Sequence, residues 1–445
     1  VTNLFGHSVR SELLLLSVTE ALACFAAFAL ILHLGLPPGT TADLPGILVL
    51  SGVLAICASF AVAATGLYHP TNSLRAARLF AGAVLGGLLL VIVAPVAAHM
   101  VPHGPLPGIG VSVTQLVVAF VCAVLLTRSA FFLALRSGLL RLRIALLPGP
   151  GAARLRGRLA TDPFYDVLDG IPPSLDVARP RPLERILRTR PLDAVVADDP
   201  ASLPPGEADR LRALRIPVWS TSRFVEHALG QVDLEALPQD WRPGETCAEG
   251  AATAAFRRGL DVVVALAILL LTLPVMILTV IAIRLESPGP ILYRQQRLGR
   301  HGRVFTVFKF RSMRENAEAG GAVWARPNDT RVTRVGRFIR LVRIDELPQL
   351  INVLRGEMAI VGPRPERPEF VARLAEAIPH YEARMLVKPG ITGWAQVNCP
   401  YGASVEDARL KLSYDLYYVC RRSVFLDFLI LIATVRVVLF QEGSR

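Results

Sequence analysis

Two adjacent carboxylates, Asp345 and Glu346, follow a series of arginines at Arg331, Arg334, Arg337, Arg340 and Arg343. Pro348 is tolerated only in a first helical turn and Asp is a favoured N-cap, so the sequence predicts a helix that starts at Asp345. The partial positive charge of a helix start favours an ionised carboxylate or a bound phosphate. The arginines ahead of it lower a carboxylate pKa and attract anions. An ionised Asp among cations is a nucleophile for phosphorus. Glu346 beside it is placed to hold a divalent cation, which binds phosphates through one or two carboxylates. A capping carboxylate on a basic, membrane-facing helix uses the same residues without chemistry.

Further cations must be positioned by the elements around this pair. Lys309 and Arg311 alternate with Phe308 and Phe310, as on a strand with one basic and one apolar face. Such a strand contacts substrate phosphate or lies on anionic lipid. Arg364 sits between Pro363 and Pro365, and a guanidinium fork suits phosphate. The stretch Lys388-Pro389-Gly390-Ile391-Thr392-Gly393-Trp394 is glycine-rich and suited to wrapping a phosphate or nucleobase. His380, Tyr381 and Arg384 are predicted on a helix leading to it, with His380 structural. A short apolar helix is expected at 347–354, a hairpin at 298–308, and a loop without assignable chemistry at 315–324.

These segments carry a resemblance. Residues 256–440 resemble the catalytic domain of bacterial polyprenyl-phosphate sugar-1-phosphate transferases, the monotopic phosphoglycosyl transferase superfamily, in its large form. The matching stretches are SPGPILYRQQRLGRHGRVFTVFKFRSM (287–313), RIDELPQLINVLRGEMAIVGPRPERPEF (343–370) and VKPGITGWAQVN (387–398). Several long motifs in the right order are far more specific than one short pattern. The resemblance implies transfer of a sugar-1-phosphate from a UDP-sugar to undecaprenyl phosphate, with UMP released, as the first step of exopolysaccharide, capsule or O-antigen synthesis. It implies that Asp345 is the nucleophile and forms a phosphosugar-aspartate. It also implies that Glu346, with Asp345, holds Mg²⁺, and that Lys309, Arg311, Arg340, Arg364 and Lys388 meet substrate phosphates. After Gln396-Val397-Asn398 many relatives carry Gly-Arg; here Cys399-Pro400 stands instead, which puts one phosphate contact and the donor preference in question.

The whole composition sets the frame. The chain has 445 residues, long enough for two or three domains, and is 52% hydrophobic. Its mean hydropathy of +0.46 is that of a membrane protein. The net charge of +12 fits anionic partners such as lipid headgroups, nucleotides and lipid phosphates. Nucleic acid is not expected as a partner, since no groove-reading or RNA-stacking motif is present. The six cysteines are scattered without a C-x-x-C pair, which indicates neither zinc nor a disulfide framework. Residue 1 is Val, and no cleavable signal peptide is expected.

Four apolar stretches, about 13–36, 44–67, 79–101 and 111–135, are each long enough to cross a bilayer. Arginines flank them at Arg10, Arg75, Arg78, Arg136, Arg141 and Arg143, which places both ends of this bundle (1–140) in the cytoplasm. Glu20 inside the first span reads as a functional carboxylate or as a helix–helix hydrogen bond. Residues 141–235 alternate strands (143–147, 192–197, 216–219) with helical stretches, predicting a Rossmann-like cytoplasmic α/β domain. Its glycine turn at 148–153 is a degenerate dinucleotide signal with intruding prolines and no acidic residue placed for a ribose. A linker is expected at 236–255 and the catalytic α/β-α domain at 256–445.

Within the last domain, residues 260–285 are apolar and interrupted by Pro274. Arg257 and Arg258 flank one side, Arg284, Arg294, Arg297 and Arg300 the other, so both ends prefer the cytoplasm. A helix-break-helix at Pro274, entering and leaving by one face, satisfies charge and proline together. The C-terminal run 424–440 is predicted to lie along the membrane surface. The expected protein is a multi-pass inner-membrane enzyme with a cytoplasmic active site, forming a homodimer. Its rivals are a nucleotide-sugar dehydratase or reductase, a non-catalytic scaffold of polysaccharide assembly, and a glycosyltransferase that releases UDP. The dehydratase reading lacks its glycine fingerprint and Tyr-x-x-x-Lys pair.

Overall fold

The structure, a computed structural model, describes all residues except 1, 5–6, 36–43, 69–75, 101–110, 161, 169–191, 204, 242, 244–249, 315–328, 330, 400–401, 403 and 441–445. It divides into two compact units, Val1–Gly230 and Gln231–Arg445.

The first unit opens with a small hairpin, β1 (Thr2–Leu4) and β2 (His7–Val9). Four long helices follow: α1 (Ser11–Leu34), α2 (Leu44–Ala64), α3 (Ala76–Met100) and α4 (Val113–Arg136). Their sequences are apolar on all sides. One face packs into a shared core around Phe28, Leu54 and Phe120, while Leu22, Ile56, Phe80 and Leu126 stay exposed. Helices apolar all round belong in lipid. By length and composition α1, α2 and α4 are each able to cross a membrane, and α3 carries a shorter apolar stretch, Leu79–Ile92. Glu20 is buried against Arg128 of α4, whose Nη2 donates to it at 3.0 Å and whose Nη1 donates to the Leu67 carbonyl at 2.7 Å. The carboxylate thus joins two helices, the second of the two readings above.

A parallel α/β module completes this unit: β3 (Leu142–Leu146), α5 (Pro150–Leu159), β4 (Tyr165–Leu168), β5 (Ala194–Ala197), α6 (Pro205–Ala213), β6 (Val218–Ser220) and α7 (Thr221–Leu229). The strands lie in the order β4-β3-β5-β6, all parallel. Strand β4 was not expected; its YDVL sequence is too short and mixed to carry a periodicity. Leu16, Phe131 and Leu135 from the helices pack with Ile144, Leu155 and Phe164 of the module in one core.

The second unit begins with a strap, 231–241, that docks on it. The Val232 amide donates to the Ser413 carbonyl at 2.9 Å, and Leu234, Leu237 and Trp241 pack around Leu374, Tyr381 and Leu416. Part of the expected linker is therefore folded surface. Next comes α8 (Ala251–Glu286), 36 residues long, or about 54 Å if straight. Pro274, the expected break, lies inside this helix. A proline there costs one hydrogen bond and a local bend.

Both ends of α8 are tied into the same unit. Arg258 donates to the Val353 and Leu354 carbonyls at 2.6 and 2.8 Å, and Asp261 accepts from the Ile360 amide at 2.9 Å. At the far end Glu286 accepts from the Arg334 and Val335 amides at 2.7 and 3.1 Å. Between these ends Leu270, Leu271 and Leu278 are 70, 80 and 66% exposed.

A hairpin follows, β7 (Leu292–Leu298) and β8 (Val304–Phe310), paired over seven residues. It is longer at both ends than the expected one. Then come α9 (Arg334–Leu341), a tight 3₁₀ turn at Ile344–Glu346, α10 (Gln349–Arg355), β9 (Ala359–Val361), α11 (Pro368–Ala377), β10 (Gly390–Thr392), α12 (Trp394–Asn398), α13 (Val405–Arg421) and α14 (Val424–Leu439). The glycine-rich stretch before Trp394 is not all loop. It forms β10, parallel to β9, so close that a Cβ on Gly390 would lie 2.1 Å from the Gly362 amide nitrogen. The glycines serve backbone contact. His380 has φ 60° and Tyr381–Leu386 is a 3₁₀ stretch rather than the expected helix.

Candidate active site

Asp345 does not cap a helix. Helix α9 ends at Leu341, Arg343 takes a left-handed conformation with φ 61°, and residues 344–346 form the 3₁₀ turn. Helix α10 then begins behind Pro348, with no side-chain cap. A non-glycine residue with positive φ is uncommon and strained. Here it reverses the chain so that both carboxylates point inward, each 8% exposed.

The arginines divide as their three-residue spacing implies. Arg331 pairs with Asp329, Arg334 and Arg337 are exposed, and Arg340 and Arg343 turn toward the acidic pair. Glu346 Oε1 is clamped by Arg364 Nη2 at 2.7 Å and Lys309 Nζ at 3.0 Å, with Arg343 Nη1 at 3.9 Å. No side chain among the described residues hydrogen-bonds to the Asp345 carboxylate. The two neighbours therefore differ. Burial works to raise Glu346, but Arg364 and then Lys309 hold it well below the usual carboxylate range. Burial, then the charge of Glu346, push Asp345 up to about 6 against the pull of Lys309, Arg340 and Arg343. The expectation of a lowered Asp345 pKa is thus reversed, because the nearest cations spend their field on Glu346. Burial pulls Lys309 down, against Glu346.

Four residues support this geometry. Gly336 lets α9 lie on the end of β8: a Cβ there would fall 2.0 Å from the Ser312 carbonyl oxygen. Asn352, buried on α10, donates to the Thr306 carbonyl at 2.7 Å and accepts from the Phe308 amide at 3.2 Å. Its amide thus acts as a strand partner for β8 and sets the height of Lys309. Arg384 is buried, donates to the Arg364 carbonyl at 2.9 Å and to the Tyr381 hydroxyl at 2.8 Å, and pairs with Asp415 at 2.7 Å. Arg297 Nη1 holds the Pro365 carbonyl at 3.1 Å. Asn352 and Asp415 were missed in the sequence. A polar residue inside an apolar helical run, as in LPQLINVL, was the available signal, since a buried amide must find partners.

Lys309, Arg340 and Arg364 therefore gather at the pair. Arg311 and Lys388 do not. Arg311 is buried and donates to the Pro288 and Ser287 carbonyls at 2.6 and 2.7 Å, closing the turn after α8. It stands one residue beyond β8, so the strand's alternation no longer places it beside Lys309. Lys388 lies beside Arg258 and Gly356, at the C-terminal end of α10, whereas Asp345 precedes its N-terminal end. Burial, then Arg258, lower its pKa.

Beside the pair lies an apolar cavity of about 970 Å³. Its walls are Met276, Ile277 and Val280 of α8, Phe310 of β8, and Pro348 and Ile351 just after the carboxylates. Among the described residues no three His, Cys, Asp or Glu side chains converge. A divalent ion here would draw on Asp345 and Glu346 and take its other ligands from phosphates and water, which is how Mg²⁺ commonly binds.

The fold and site define a membrane-associated protein with a cation-clamped acidic pair suited to phosphate chemistry. The bacterial sugar transferase family model matches residues 252–441. A UDP-glucose:undecaprenyl-phosphate glucose-1-phosphate transferase of Caulobacter vibrioides is 43% identical over 190 residues, 42% of this chain and 71% of the relative. The chain belongs to the bacterial sugar transferase family. It is also 42% identical over 257 residues to a UDP-N-acetylgalactosamine-undecaprenyl-phosphate N-acetylgalactosaminephosphotransferase of Aeromonas hydrophila, 57% of this chain and 60% of the relative. A Xanthomonas campestris UDP-glucose:undecaprenyl-phosphate glucose-1-phosphate transferase is 45% identical over 174 residues, 38% of this chain and 36% of the relative. The matches thus span from about one third to three fifths of these last two relatives.

Proposed function

We propose that the chain transfers a sugar-1-phosphate from a UDP-sugar to undecaprenyl phosphate at the cytoplasmic membrane face, releasing UMP. The observation that carries the reading is the unequal pair: a buried Asp345 without a hydrogen-bonding side chain beside a Glu346 held by Lys309 and Arg364. An unpartnered carboxylate is free to attack. In the first step an Asp345 oxygen bonds to the sugar-bearing phosphorus, the bond from that phosphorus to the bridging oxygen breaks, and UMP leaves. In the second, an undecaprenyl phosphate oxygen attacks the same phosphorus, the bond to Asp345 breaks, and the carboxylate is restored. Lys309, Arg340 and Arg364 neutralise phosphate charge throughout. Mg²⁺ bound by Glu346 and Asp345 would supply further charge stabilisation.

The apolar cavity beside the pair supports a lipid acceptor, because a polyprenyl chain needs an apolar wall next to the reacting phosphate. The anchoring of both ends of α8 in one unit, with an exposed apolar middle, supports a re-entrant helix that dips into one leaflet. The names of the relatives support undecaprenyl phosphate as acceptor. The parallel order of the first unit's sheet supports a Rossmann-like reading of that module.

The test is nucleotide release. Protein, undecaprenyl phosphate and Mg²⁺ are incubated with UDP-sugars, beginning with UDP-N-acetylgalactosamine and UDP-glucose. UMP from one donor supports the reading. UDP instead would mean transfer of the sugar alone, and neither product from any donor would favour a scaffold.

A further inference from the structure

The α/β module carries a glycine turn where a parallel sheet of this kind binds nucleotide phosphates. In the order β4-β3-β5-β6 the crevice lies beyond the carboxyl ends of β3 and β5, where successive connections leave in opposite directions. The N-terminus of α5 points its free amides there. That position is filled. Asp198, one residue past the end of β5, accepts from the Gly151 amide through Oδ2 at 2.9 Å and from the Ala152 amide through Oδ1 at 3.0 Å. The same Oδ1 accepts from the Thr221 hydroxyl, at the start of α7, at 2.7 Å.

We infer that this module is closed to nucleotides by its own carboxylate: Asp198 takes the place of a ligand phosphate and ties β5 to the starts of α5 and α7. The glycines fit this role. A Cβ on Gly149 would lie 2.4 Å from Asp198 Oδ2, and one on Gly151 2.5 Å from Oδ1. Close approach of an anion to the backbone is what a dinucleotide turn uses its glycines for; here the anion is internal. With both amides and the hydroxyl committed and the carboxylate against the backbone, a phosphate finds neither donors nor room. The inference is independent of the transferase reading.

Hydrogen exchange of the segment 148–160 in the full-length, detergent-solubilised protein tests it. In the wild type its amides should be protected, and inorganic phosphate, NAD, ATP or UDP at millimolar concentration should leave that protection unchanged. Asp198→Ala should expose the Gly151 and Ala152 amides, speeding their exchange at least tenfold, and phosphate should restore much of the protection. Asp198→Asn covers the case in which Ala collapses the turn. It keeps the shape but aims an amide donor at one of the N–H groups, so one of the two should lose protection. Added protection of the wild type by any of these ligands would overturn the inference, showing a carboxylate that yields to a ligand. Full protection in Asp198→Ala and Asp198→Asn without phosphate would overturn it as well.

Discussion

At the scale of single residues, the site rests on an asymmetry between two neighbouring carboxylates. Glu346 is the fixed charge that orders Lys309 and Arg364; among the described residues, Asp345 is the carboxylate without a hydrogen-bonding side chain. Asp345→Asn should reduce UMP release by about three orders of magnitude or more and abolish any sugar-phosphate adduct detectable by intact mass. Full activity in this variant would rule out the nucleophile. Glu346→Gln keeps the shape but removes the charge that holds two cations. Turnover should fall and the Mg²⁺ concentration for half-maximal rate should rise; an unchanged metal titration would remove Glu346 from the metal site. Asn352 does not touch the acidic pair; its amide donates to the Thr306 carbonyl and to Glu357 Oε2, each at 2.7 Å, and so sets β8. Asn352→Leu leaves the Thr306 carbonyl and the Phe308 amide unpaired, a cost of about 1–3 kcal/mol for each buried group. A lower melting temperature should accompany a rate loss of about 10²-fold, the effect of a misplacement near 1 Å.

At the scale of elements, the Pro363-Arg364-Pro365 turn is held from behind by a buried pair. Arg384 reaches the Arg364 carbonyl and is itself held by Asp415 of α13. Burial raises the Asp415 pKa to about 6 against the pull of Arg384. A carboxyl whose folded pKa exceeds its unfolded value binds its proton more tightly when folded. Its contribution to stability is therefore greatest near and below the ordinary value of 3.8 and is lost as pH rises through about 6. Asp415→Asn should flatten the fall in melting temperature across pH 4 to 6 relative to the wild type. Arg384→Met alone leaves a buried uncompensated carboxylate, which costs about 3–5 kcal/mol. Thermal melts of both variants across this pH range check the assignment; a wild-type slope retained in Asp415→Asn would place the titration elsewhere.

At the scale of the whole molecule, α8 decides on which side of the membrane the chemistry occurs. Its two ends are both bonded into the second unit, through Arg258 and Glu286, while its middle is apolar and exposed. Single cysteines placed beside Arg258 and beside Arg297 should both react with a membrane-impermeant reagent from the cytoplasmic face only. Labelling from opposite faces would make α8 a full crossing and put the acidic pair elsewhere.

The residues themselves determined a good deal. Four all-apolar runs, a basic balance and long motifs around Asp345 depend on composition and order, so the membrane helices and the acidic pair were legible without coordinates, and the resemblance those motifs carry implied the clustering with Lys309, Arg340 and Arg364. Strand β4, the buried role of Arg311 at the turn after α8, the place of Lys388 at the far end of α10, and the reversal of the Asp345 pKa were not. Each turns on contacts between residues far apart in the chain. Arg311 is one residue past the end of its strand, and only the position of Ser287 and Pro288 shows where it bonds. The field at Asp345 depends on which carboxylate the cations reach first, and tertiary packing placed them on Glu346. The degenerate glycine turn was visible at once, but its occupant, Asp198, lies 47 residues beyond Gly151 and comes to it only when β5 pairs with β3.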